Sequence, residues 1–215
     1  EAGRWDKCKT ELESMFDAQL RAVGDRLLDP IGRGLVTLGV TANQVTMIGA
    51  AFGMIAAGFV AAGLFYPALW FVIANRVIDG LDGAVARASR SSDFGGYLDI
   101  VSDFIFYSAI PLAFAVARPE TALAAAFLIF SFIGTATSFL GFAILAEKHH
   151  VTTQIRGKKA FYYLGGLTEG TETILLFLAM LVWPDYFSVM AIIFGILCWV
   201  TTGTRIYAAY RQFND

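Results

Sequence analysis

Four aspartates stand where aspartate is expensive. Asp79 and Asp82 are three residues apart, and Asp99 and Asp103 four apart, inside otherwise apolar stretches. At helical periodicity each pair shares one face. The polar turn between the stretches makes the two helices antiparallel neighbours, so the pairs can face each other. A carboxylate within an apolar span costs at least about 2.5 kcal/mol and persists where it faces a cavity, a partner or an ion. Four of them converging repel one another unless cations balance them. An all-oxygen donor set suits a hard divalent ion, Mg²⁺ or Mn²⁺. Two such ions a few ångströms apart form the arrangement that clamps phosphoryl groups. Gly80, Gly83, Gly95 and Gly96 flank the acids. A helical glycine costs roughly 1 kcal/mol relative to alanine, a cost tolerated where a bulky ligand approaches the backbone. Arg87, five residues after Asp82, adds a fixed positive charge suited to a phosphate. The competing reading of the same acids is the lining of a cation transporter or channel.

Membrane helices must position these residues. The chain has 215 residues, 57% hydrophobic and only 16% charged, against about a quarter charged in an ordinary soluble domain. Nineteen Phe, eight Tyr and four Trp exclude a disordered chain, and a net charge of −2 gives nucleic-acid binding no support. Cys8 and Cys198, far apart, form no metal-ligand or disulfide pattern. At about 20 residues per crossing, six spans are read: Asn43–Leu64, Pro67–Arg87, Phe94–Ala117, Thr121–Ala146, Ala160–Trp183 and Tyr186–Tyr210. Residues 1–34 form a separate cytoplasmic segment, too charged for a cleavable signal. Leu12, Met15, Phe16, Leu20, Val23 and Leu27 give it an amphipathic helix on the membrane surface, which Asp29-Pro30, Gly32 and Gly34 then break. Residues 35–215 are the membrane domain. The connections on one side carry Arg118 as their basic residue, and the other side receives nearly all the rest. Both termini and both long polar loops are therefore expected in the cytoplasm.

Read as a string, Asp79-Gly-Leu-Asp82-Gly83-Ala-Val-Ala86-Arg87, seven residues, then Gly95-x-x-x-Asp99-x-x-x-Asp103 resembles the signature of the CDP-alcohol phosphotransferase family. The run Phe-Tyr-Tyr-Leu-Gly-Gly-Leu-Thr-Glu-Gly-Thr-Glu at 161–172 resembles a bacterial inner-membrane branch of it. The resemblance implies a six-span, all-α homodimer that moves a substituted phosphate from a CDP-alcohol to an acceptor hydroxyl and releases CMP. It further implies that Asp79, Asp82 and Asp99 hold metal, and that Asp103 contacts the metal site and serves as general base. Asp79, Gly83, Ala86 and Arg87 would line the CDP site. Thr41-Ala-Asn43-Gln-Val-Thr46 resembles the family segment that holds the nucleotide, and as plain helix chemistry Thr41 is also a natural N-cap.

The acceptor end stays open between two readings. Glu169 and Glu172 either face the polar cavity or bond neighbouring helices. Arg156, Lys158, Lys159 and Arg205 either bind anionic lipid headgroups or form a basic pocket for an acceptor bearing its own phosphate. The expected protein is a Mg²⁺- or Mn²⁺-dependent transferase of the bacterial inner membrane, using two ions. Its expected donor is CDP-diacylglycerol, with a soluble CDP-alcohol as the alternative, and its acceptor is a small polar alcohol.

Overall fold

The computed structural model describes residues 27–89, 92–149, 168 and 170–213, and no strand occurs among them. Seven helices follow in order among these residues: α1 (27–37), α2 (Ala42–Ala61), α3 (Phe65–Ala88), α4 (Asp93–Ala117), α5 (Ala122–Lys148), α6 (Gly170–Val182) and α7 (Phe187–Phe213). Short 3₁₀ turns at Pro119–Thr121 and Pro184–Tyr186 lead into α5 and α7.

The breaks have local causes. Gly39 and Gly63 adopt φ of +80° and +74°, the left-handed conformation that glycine enters without strain. Each closes a helix: Val40 N–H bonds Leu35 O at 3.0 Å, and Leu64 N–H bonds Phe59 O at 2.8 Å. Thr41 and Gln44 form a capping box at the start of α2. Gln44 Oε1 accepts from Thr41 N–H at 2.9 Å, and Thr41 Oγ1 from Gln44 N–H at 3.4 Å. Two sequence expectations shift here. Asp29-Pro30 lies inside α1, so the first break comes at Gly39 rather than at Asp29-Pro30. The span read from Pro67 starts at Phe65, after a turn at Gly63, with Pro67 in the first turn of α3, where a missing N–H costs little. The rest of the N-terminal amphipathic stretch, residues 12–26, lies outside the described residues.

The chain divides into two compact units. Among the described residues, the first combines 27–55 with 70–89 and 92–103. Its helices approach closely through glycine. A Cβ on Gly32 would lie 2.8 Å from the Ala84 backbone, so α1 packs directly on α3. A Cβ on Gly49 would lie 3.2 Å from Ile78, and Phe52 packs on Phe71 with ring centroids 5.4 Å apart, joining α2 to α3.

The second unit combines, among the described residues, 56–69 with 104–149, 168 and 170–213. It has an aromatic core: Phe114 stacks on Phe187 at 4.3 Å and on Phe65 at 5.3 Å, while Phe177 meets Phe106 edge-on at 5.8 Å. Helix α5 runs along α7, so closely that a Cβ on Gly195 would sit 2.6 Å from the Phe127 ring. Arg118 pairs with Asp185 at 2.7 Å and lies over Phe65 at 5.3 Å. The connections before α5 and before α7 therefore meet at the start of α3.

Among the described residues, four segments are long and apolar enough to cross a membrane: Ala42–Ala61, Asp93–Ala117, Pro119–Lys148 and Pro184–Phe213. Only 28–39% of their most apolar windows is buried inside the protein. Leu123, Trp70, Ile144 and Leu112 project outward at 85, 69, 68 and 58% exposure. So much outward apolar surface is stable only in an apolar solvent, and the chain is an integral membrane protein. Helix α3 is as long, but Arg76, Asp79, Asp82 and Arg87 interrupt its apolar run. The described part of α6 has 13 residues.

Candidate active site

All four aspartates lie in the first unit, Asp79 and Asp82 on α3 and Asp99 and Asp103 on α4. Ser92 starts α4, its Oγ accepting from the Gly95 N–H at 3.0 Å. One oxygen each of Asp79, Asp99 and Asp103 lies within 4.8 Å of the others. Asp82 lines the same cleft and is buried. Its Oδ2 accepts a 2.7 Å hydrogen bond from the Thr46 hydroxyl of α2, itself 3.0 Å from Ala42 O. The three converging carboxylates offer only hard oxygen donors, close enough to share one ion, so the donor set fits a divalent cation such as Mg²⁺ or Mn²⁺.

The expected nucleotide residues are partly redirected. Thr46 stands in the cleft as the partner of Asp82. Asn43 Oδ1 occupies the space beside Gly95, where a Cβ would come within 2.7 Å of it. That contact gives the signature glycine a packing reason: a side chain there would push the Asn43 amide aside. Gly80 serves α1 in the same way, facing Leu28 at 2.8 Å, whereas Gly96 meets open space. Gly83 adjoins the Arg87 guanidinium, 3.4 Å from an ideal Cβ, and Ala86 is half-buried on α3. Arg87 reaches α1, where its Nη2 donates to Asp29 Oδ1 at 2.8 Å, and it does not line the cleft.

Two of the six acceptor candidates fall among the described residues. Arg205 lies in the second unit, buried, with Nη1 donating to Thr135 O at 3.1 Å and the guanidinium over the Phe139 ring at 5.6 Å. Glu172 is exposed in the first turn of α6. Arg156, Lys158, Lys159 and Glu169 lie outside the described residues, as does most of the 161–172 run.

Arg76 is the cleft residue that sequence reading overlooks. Its Nη2 donates to Asp103 Oδ1 at 2.8 Å, and Nη1 lies 3.4 Å from Asp79 Oδ2. The signal for it is its spacing, one helical turn before Asp79.

Known proteins identify the family. The family model for CDP-alcohol phosphatidyltransferase matches residues 39–207. The inner membrane protein YnjF of Escherichia coli (strain K12) is 48% identical over 202 residues, covering 94% of this chain and 98% of its own. The phosphatidylinositol phosphate synthase of Mycobacterium tuberculosis, solved with CDP-DAG bound, superposes with a TM-score of 0.69 at 22% identity. The match covers 86% of this chain and 94% of that one. The same synthase in complex with manganese and citrate gives a TM-score of 0.67 at 23% identity, covering 85% and 88%. Likeness at that identity shows a common fold. The extent of the family match and the close bacterial relative show more: this chain belongs to the CDP-alcohol phosphatidyltransferase family, membrane-bound transferases of phospholipid biosynthesis.

Proposed function

We propose that the protein transfers a phosphatidyl group from CDP-diacylglycerol to the hydroxyl of a small polar alcohol, releasing CMP, and that it needs Mg²⁺ or Mn²⁺. The observation that carries this reading is the convergence of Asp79, Asp99 and Asp103, with Asp82 in the same cleft, at the spacing of the family signature. Asp79, Asp82, Asp99 and Asp103 would hold two ions. When bound, such ions neutralise charge on the attacked phosphate and on the departing CMP. Asp103 accepts the acceptor's hydroxyl proton while that oxygen bonds to phosphorus. The bond between phosphorus and the CMP oxygen breaks, and its electron pair leaves with CMP. Thr46 holds Asp82 in orientation from α2. Asn43, Gly83 and Ala86 would flank the nucleotide, and Arg87 would reach its phosphate by turning away from Asp29. The manganese and the CDP-DAG seen in the mycobacterial synthase support the metal and the lipid donor.

A lipid donor also suits the membrane arrangement. In this reading α3 and the segment ending in α6 complete six crossings, residues 35–215 form the catalytic domain and 1–34 a cytoplasmic segment. Both termini face the bacterial cytoplasm, because Arg118 is the basic residue of the opposite side. The protein acts as a homodimer. Arg205, being buried, fits the lining of an acceptor pocket better than a lipid-facing cation. With Arg156, Lys158 and Lys159 it favours an acceptor that bears its own phosphate, whose hydroxyls Glu169 and Glu172 would contact.

The test incubates the purified protein with CDP-diacylglycerol, Mg²⁺ and a panel including inositol phosphate, glycerol phosphate and serine. CMP should appear only with metal and one class of alcohol, and chelation should stop it. CMP release that ignores both metal and alcohol overturns the proposal.

A further inference from the structure

Arg76 brings a fixed positive charge to the place where the carboxylates converge. It is braced from behind: Nε donates to Asn75 Oδ1 at 2.9 Å, and Asn75 Nδ2 donates to Gly49 O of α2 at 2.8 Å. Asn75 is only 3% exposed, so this brace is locked into the packing of α2 against α3. The guanidinium then reaches Asp103 Oδ1 at 2.8 Å and comes within 3.4 Å of Asp79 Oδ2, two of the three acids whose oxygens converge. A carboxylate lone pair aimed at an N–H is not aimed at a metal ion, and two cations sharing one carboxylate repel each other strongly at low dielectric.

We infer that Arg76 is a protein-borne counter-cation that competes with the divalent metal for Asp79 and Asp103. The inference rests on the metal reading proposed above. Arg76 neutralises the acids while the protein folds and inserts, and it sets how tightly metal binds afterwards. A divalent ion held by these acids would share the Asp79 and Asp103 carboxylates with the guanidinium, and each cation would weaken the hold of the other. Arg76 is thus a positioning residue, acting through the ligands, and its removal should tighten metal binding.

The experiment is calorimetric titration of Mn²⁺ into the purified full chain, without donor or acceptor. Arg76→Gln should bind Mn²⁺ at least about tenfold tighter than the native protein, since a charge-assisted contact and a repulsion are both removed. Arg76→Lys keeps the charge and should fall nearer to native than the glutamine variant. Should Arg76→Gln fail to fold, Arg76→Met, which keeps the stem and drops the charge, carries the same expectation. Affinity that is unchanged or weaker in the uncharged variant overturns the inference: Arg76 would then hold the ligands in place rather than compete for them. If the native protein binds no Mn²⁺ at all, the metal reading itself fails and this inference with it.

Discussion

Asp99 and Asp103 lie one turn apart on the same face of α4 and should nevertheless respond differently to the same replacement. As proposed, Asp99 is a ligand and Asp103 is chiefly the base. A positioned general base contributes about 10²–10⁴-fold to turnover, whereas losing a ligand also weakens donor binding. Asp103→Asn should therefore lose most CMP release yet keep CDP affinity at saturating Mg²⁺ within several-fold of native. Asp99→Asn should lose both. Calorimetric titration of CDP beside a CMP-release assay separates them, and equal loss of CDP binding would make Asp103 a ligand first. Asp79→Asn and Asp82→Asn should lose CMP release and metal-dependent CDP binding together, because one ligand charge fewer leaves the pyrophosphate uncompensated. Near-native turnover in either variant removes that residue from the ligand set.

At the scale of elements, α1 and α3 are held by a contact that admits no side chain. A methyl group on Gly32 would meet Ala84 backbone carbon at 2.8 Å, whereas one on Gly34 would meet nothing within 4 Å. Both glycines sit in the same helix, so helix propensity acts on both alike. Gly34→Ala should be neutral or raise the melting temperature, gaining up to about 1 kcal/mol. Gly32→Ala should lose about 1–3 kcal/mol net, as overpacking forces the two backbones apart. It should also weaken CDP binding, because α1 carries Asp29, the partner of Arg87. Thermal denaturation in detergent compares the pair. Equal shifts for the two variants would mean that α1 does not rest on α3 in solution.

For the whole molecule the decisive quantity is the number of crossings. Among the described residues four segments pass by length and apolarity alone, while α3 is interrupted by charges that the proposed site requires. The pair Arg118–Asp185 and the contact of Arg118 with Phe65 gather the starts of α3, α5 and α7 at one end. With six crossings, a single cysteine in the 147–159 loop reacts with a membrane-impermeant maleimide only from the cytoplasmic side. One at Pro119 reacts only from outside. Labelling of both from the same side overturns the six-span topology.

Patterns confined to one element are legible in the amino-acid sequence by itself. The apolar runs dictate membrane helices because nothing else satisfies the backbone in lipid. The spacings 79/82 and 99/103 place each pair of acids on one face because helical geometry is local. The Thr41 cap follows from the same local chemistry. Helix ends are less legible: Asp29-Pro30 looks like a stop, yet the chain stays helical through it as far as residue 37, where the left-handed cap at Gly39 is the stronger signal. Tertiary structure alone decides which residues answer one another across elements. Arg87, read as a phosphate contact, faces Asp29, and Thr46, read as a nucleotide contact, faces Asp82. Gly95 makes room for Asn43. Arg76, a basic residue in the middle of its span, reaches Asp103, 27 residues away in the chain. Such pairings depend on how α1, α2, α3 and α4 pack, and residue spacing along one helix carries no record of its neighbours.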